Sequence, residues 1–244
     1  MIAVPSPPVA IGPYPPTLMC ATVSQLLGRF DDCGPLQITV RCDGVGHEQF
    51  GRLQLRAAGD RLLVEGDMTL TIETAMIDRI ILNQQRGLTV ADQHRIDFVT
   101  RDNVTAFSLL NLAEDSRWRT ELNDMIGEPV HDAPLQLFPA GQDAALDPAL
   151  PILDAACRAG SPVEVQLAKP GASATWRGQI HALSASRDYV NVIQPDFHLH
   201  LRGGRIPRWE EERDAGGAPF YRAIDPQGEG MDLSIRVMAR APDE

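Results

Sequence analysis

Histidine, histidine and arginine fall at every second residue in the run FHLHLR, so His198, His200 and Arg202 share one face if the segment is a strand. Arg205 and Arg208 lie just beyond, after Gly203-Gly204, which permits a sharp turn. The chain carries 33 acidic and 22 basic residues, for a formal charge of -11, so this is a local cationic patch in an acidic protein. Imidazole beside guanidinium suits a ligand that offers a metal and carboxylates together. Haem is one, since iron takes imidazole and propionates take arginine. A divalent metal on His198 and His200 is another, with His181 or a nearby carboxylate as the third ligand. A third reading is a polar strand face whose histidines only solubilise the sheet.

Other residues offer less chemistry. His47, His94 and His131 stand alone and read as surface residues. Glu210, Glu211 and Glu212 form a charge run of the kind that covers a solvated segment. Trp118, between Arg117 and Arg119, reads as packing. Cys20, Cys33, Cys42 and Cys157 form no Cys-x-x-Cys pair and read as reduced thiols. No P-loop, Gly-x-Ser-x-Gly or His-Glu-x-x-His motif is present, so the signals for nucleotide, serine-hydrolase and zincin chemistry are missing. The acidic balance argues against nucleic acid as the main partner. No apolar run is long enough for a membrane span, and Met1–Pro16, with six prolines, does not read as a signal peptide. The cytoplasm is the expected location.

These candidates must be positioned by strands. Alternation of apolar and polar residues predicts them at 36–41, 51–56, 61–65, 68–73, 77–83, 94–100 and 105–112, with turns at Asp43-Gly44, Gly59-Asp60, Gly66-Asp67 and Asp102-Asn103. Helices are expected at 22–30, capped by Thr22, at 114–125 and at 152–159. Residues 131–151, with four prolines, read as a linker.

Beyond the linker the first pattern returns. GPLQITV (34–40) matches SPVEVQL (161–167), and Phe50 and Trp176 take equivalent places. GDRLLVEGDMTLTIETAMIDRI (59–80) aligns with the run 187–209 with one residue inserted, and AFSLLNL (106–112) pairs with DLSIRVM (232–238). The chain therefore reads as an α+β protein: two tandem copies of an antiparallel sheet unit with packed helices, about a pseudo-twofold axis. The expected organisation is a Pro-rich segment (1–21), a first repeat (22–130), a linker (131–151) and a second repeat (152–244). The copies agree on one strand face, Met68-Leu70-Ile72 against Phe197-Leu199-Leu201. They differ on the other, Thr69-Thr71-Glu73 against His198-His200-Arg202.

The run DYVNVIQPDFHLHLRGGRIPRW, preceded by WRGQIHAL, resembles the carboxyl-terminal half of HemS-type haem-trafficking proteins, in which an "LHLR" strand occurs. The first copy is similar to the related ChuX/HutX type. The resemblance implies a duplicated fold of large antiparallel sheets and cytoplasmic handling of haem: binding, delivery, and participation in haem breakdown. It implies haem as cofactor, a haem uptake transporter or haem oxygenase as partner, and a homodimer as a form of the protein. His200 and Arg202 match the "LHLR" strand, His198 stands where the family often has Asn, and Arg240 corresponds to an arginine near the family's last strand. The family's axial histidine comes from a helical region before the second sheet. Here that region is shortened and holds no histidine except His131, well upstream.

Overall fold

Alternating side chains make strands, and strands dominate the computed structural model, which describes residues 15–30, 34–86, 92–112, 122–134, 141–186, 188–214 and 216–238. In the first copy they are β1 (Thr17–Met19), β2 (Leu36–Cys42), β3 (Val45–Gly51), β4 (Leu55–Ala58), β5 (Arg61–Val64), β6 (Leu70–Glu73), β7 (Ile77–Arg86), β8 (Asp92–Thr100), β9 (Thr105–Asn111) and β10 (Ile126–Pro129). In the second they are β11 (Pro162–Lys169), β12 (Ala172–Gln179), β13 (Leu183–Ser186), β14 (Tyr189–Ile193), β15 (Phe197–Arg202), β16 (Arg208–Arg213), β17 (Pro219–Ile224) and β18 (Gly230–Val237). Helix α1 (Val23–Leu27) precedes β2, and α2 (Ala149–Ala159) precedes β11. Thr22 caps α1 as its sequence predicts: its hydroxyl accepts from the Gln25 N–H at 3.2 Å, and the Gln25 side chain accepts from the Thr22 N–H at 2.9 Å.

Two antiparallel sheets result, and each contains strands of both copies. The first has the order β10-β1-β7-β8-β9-β2-β3-β15-β14-β13; the second has β16-β17-β18-β11-β12-β6-β5-β4. Each copy sends its three-stranded meander to the other copy's sheet. β15 of the second copy pairs with β3, and β6 of the first pairs with β12. The two junctions share a register: Leu201 lies opposite Val45, and Ile72 opposite Ala172. This is the duplication read from the sequence, now visible strand by strand.

The apolar faces of the two sheets meet in one core. Phe197 stacks on Trp176 of the opposite sheet at 4.2 Å between centroids, and the indole N–H donates to the Asp196 carboxylate at 3.0 Å. Asp43 and Gly44, with φ of 42° and 85°, close the β2–β3 hairpin in the left-handed region, as an Asp-Gly pair does in a tight hairpin turn. No helix among the described residues is long and apolar enough to cross a membrane.

Several expectations are corrected. The strand expected at 51–56 is split, because the chain leaves β3 at Gly51 and begins β4 of the other sheet at Leu55. The register makes Trp176 equivalent to Gln49, not to Phe50. Thr17–Met19 of the Pro-rich segment is a strand, pairing with β7 and β10. The linker contains a 3₁₀ turn, Ala144–Leu146, and the first residues of α2. The helix expected at 114–125 lies largely outside the described residues; its end, Asn123–Met125, is a 3₁₀ turn. His47 and His94 are buried rather than on the surface.

His47 faces the core, where its Nε2–H donates to the Val165 carbonyl of the other sheet at 3.3 Å. Burial holds its imidazole down at about 4, well below the roughly 6.5 of an exposed histidine. The unfolded chain therefore takes up this proton first as pH falls. Stability is whole above about pH 6.5, drops as pH falls, and is lower by about 3 kcal/mol near pH 4. Urea denaturation of the wild type and of His47→Leu between pH 7 and 4 checks this. The variant should lose that part of the pH dependence; an unchanged pH profile would rule it out.

Candidate functional site

One face of the first sheet looks away from the core, yet many of its polar side chains are buried. Registered pairing sets them in rows. One row runs Asp97, Ser108, Thr39, Glu48, His198 across five strands, and the next runs Arg41, Gly46, His200, Asn191. Buried polar groups must find partners. Asp97 accepts from Ser108 Oγ at 2.6 Å, Asn83 Nδ2 at 2.6 Å and the Arg95 guanidinium at 2.8 Å. Glu48 accepts from Arg41 at 2.7 Å through Oε1 and from Gln37 Nε2 at 2.8 Å through Oε2.

A cavity of about 700 Å³ opens on this face. The first copy contributes Arg41, Glu48 and the Asp43–Gly44 turn; the second contributes Lys169, Tyr189, Asn191 and His200. Val45, Val104 and Phe107 add apolar wall. The site thus exists only because β15 pairs with β3. Lys169 Nζ donates to the Arg41 carbonyl at 2.8 Å, and burial lowers the pKa of its amine.

The geometry fixes the state of His200. The Asn191 amide Nδ2 donates to Ser186 Oγ and the Tyr189 carbonyl, both at 3.3 Å, so Oδ1 is the atom turned to the ring. His200 Nδ1 lies 2.8 Å from that oxygen and must carry the hydrogen. Nε2 is then the bare acceptor. Burial lowers the pKa of the imidazole, countered by the Glu48 charge and reinforced by His198 and Arg41. His200 is therefore neutral at neutral pH, with its lone pair on Nε2.

The residues singled out in the sequence separate. His198, His200 and Arg202 do lie on one face of β15. His200 lines the cavity. His198 lies beside it, edge-on to Phe50 with ring centroids 4.5 Å apart. Arg202 is 8% exposed and serves as a clamp: it donates to Tyr189 Oη at 2.9 Å and to Asp188 at 3.2 Å. Arg205 holds the hairpin turn through the Asp43 carbonyl at 3.4 Å. Arg208 is not brought to this face. After Gly203-Gly204 the chain crosses to the second sheet, where Arg208 begins the edge strand β16 and pairs with Glu210 at 2.9 Å. Arg240 lies outside the described residues. Gly203 is required here because a side chain would meet the Gln142 carbonyl at 2.5 Å, where the linker packs on the turn.

Sequence reading missed Arg41, Glu48, Lys169, Tyr189 and Asn191. Tyr189 and Asn191 carried a signal, since the period of two in YVNVI puts them on one face.

No family model and no curated protein matches the chain. Solved structures match its fold. Apo-PhuS, a heme-binding protein from Pseudomonas aeruginosa, superposes with a TM-score of 0.73 at 17% identity, over 95% of this chain and 83% of that one. Holo-PhuS gives 0.74 at 17%, over 93% and 82%. ChuS, a heme degrading enzyme of Escherichia coli O157:H7, gives 0.74 at 13%, over 95% and 84%. The chain has the fold of these proteins, so the resemblance read from its residues holds for the architecture.

At pH 7, two-bond proton–nitrogen NMR spectra should show His200 as the Nδ1–H tautomer. Asn191→Leu removes the acceptor and should move the ring toward Nε2–H. A wild-type ring already in the Nε2–H form would contradict the assignment.

Proposed function

We propose that this protein binds haem in the cavity on the first sheet and carries it in haem-iron utilisation within the cytoplasm. One observation carries the reading: a neutral imidazole, His200, keeps its lone pair on Nε2 in a cavity that two basic side chains also line.

The residues fit the group. A volume of about 700 Å³ falls inside the range of roughly 300–1,000 Å³ that small-molecule and cofactor sites take. His200 Nε2 would hold the iron. Arg41 and Lys169 would meet the propionates, and Val45, Val104 and Phe107 would cover part of the ring. Arg202 supports the site from behind by fixing Tyr189. The Asn191 bond to Nδ1–H orients the imidazole and raises its basicity. When bound, haem supplies iron-centred redox chemistry; the chain's residues bind, orient and shield. PhuS and ChuS, which share the fold, are described as heme-binding and heme degrading, which supports haem as the ligand and leaves delivery and breakdown as roles for the same site.

Haemin titration tests the proposal. A Soret band should develop and saturate at one haem per chain. His200→Ala should weaken binding by at least about tenfold and alter the band. Arg41→Ala and Lys169→Ala should each weaken it by about tenfold, the worth of a charge-assisted bond. No spectral change at micromolar haemin, or a His200→Ala titration identical to the wild type, would overturn it.

A further inference from the structure

The junction of the two copies gathers a second set of donors. Glu48 on β3 lies directly opposite His198 on β15 and diagonal to His200. One atom, Glu48 Oε2, is 3.8 Å from His198 Nδ1 and 3.9 Å from His200 Nε2. The three ligand atoms all lie within 4.8 Å of one another. We propose that Glu48, His198 and His200 bind one divalent transition-metal ion, of the kind represented by Zn²⁺, Co²⁺ or Fe²⁺.

Metal bonds to imidazole nitrogen and carboxylate oxygen are about 2.0–2.2 Å, so donors around a tetrahedral ion stand about 3.3 Å apart. Side-chain shifts of about half an ångström would close the set. The donor types suit a borderline ion: two imidazoles and one carboxylate, with further positions left for water.

The supporting bonds are those a ligand set needs. The hydrogen on His200 Nδ1 is held by Asn191, which leaves Nε2 for the ion. Arg41 and Gln37 orient the Glu48 carboxylate and take one lone pair on each oxygen, leaving a lone pair of Oε2 toward the histidines. Glu48 is 6% exposed, so its charge is fixed in place rather than dispersed in solvent.

The duplication supplies an internal comparison. At the matching junction of the second sheet the equivalents of Glu48, His198 and His200 are Thr175, Thr69 and Thr71. All three donors are replaced together by neutral hydroxyls. The scaffold therefore does not need these groups; their convergence on one point belongs to the first sheet alone. The ion would share His200 Nε2 with the iron of haem, so the two ligands would exclude each other. That last point rests on the haem reading; the metal site does not.

The test is titration of the untagged full chain with Co²⁺, read by visible absorption, and with Zn²⁺, read by calorimetry. One ion per chain is expected. Glu48→Gln, His198→Thr and His200→Thr should each weaken binding by at least about tenfold, and Asn191→Leu by about tenfold. Threonine is chosen because the other junction carries it in the same strand setting; urea denaturation confirms folding. His131→Ala should bind as the wild type does. His198→Thr should show that weakened ion binding yet keep the haemin Soret titration, because His198 does not line the cavity. Absence of stoichiometric binding, or binding unaffected by His198→Thr, overturns the metal site and leaves the haem proposal standing. Loss of haemin binding with metal binding intact does the reverse.

Discussion

The antiparallel pairing of β3 with β15 is the constraint on which the rest depends. It joins two segments about 150 residues apart in sequence and unites strands of both copies in the first sheet. Its register decides which side chains face each other. Shifting the pairing by one residue would turn His198 and His200 into the core and Leu199 and Leu201 out of it, so burial of the leucines holds the register. The chemistry of the outer face is thus fixed by hydrophobic packing on the inner one.

That outer face is polar and buried at once, which is costly unless each group is satisfied. Asp97 and Glu48 each sit in a net of guanidinium and amide or hydroxyl donors. The nets hold charge in a chosen place with little freedom to reorganise. A ligand meeting such a surface finds its partners already aligned. Arg202, read in the sequence as a ligand partner, contributes at one remove: it fixes the tyrosine that forms the wall.

Much of the fold was legible because its strands are half-buried and alternate cleanly. The hairpin residues Asp43-Gly44 and the cap at Thr22 were equally plain. β3 was not, because its inward residues include His47 and Gln49, so VGHEQFG shows no apolar alternation. The common face of His198, His200 and Arg202 followed from spacing alone. The partner strand did not, since no local pattern says that β15 leaves its own copy to pair with the other. Without that exchange Glu48 and Arg41 have no reason to be near His200. Arg208 shows the opposite error: nearness in sequence to the patch was taken for nearness in space, but the chain changes sheets between them.

The exchanged meanders have an evolutionary consequence. A single copy of this unit could satisfy its open junction only against a second chain, giving a twofold dimer with two identical sites. In such a dimer every substitution appears twice, so a residue useful at one site must be tolerated at the other. Joining the copies in one polypeptide removes that bond between them. One junction can then collect histidine and carboxylate while its twin settles into threonine, with the shared core carrying both.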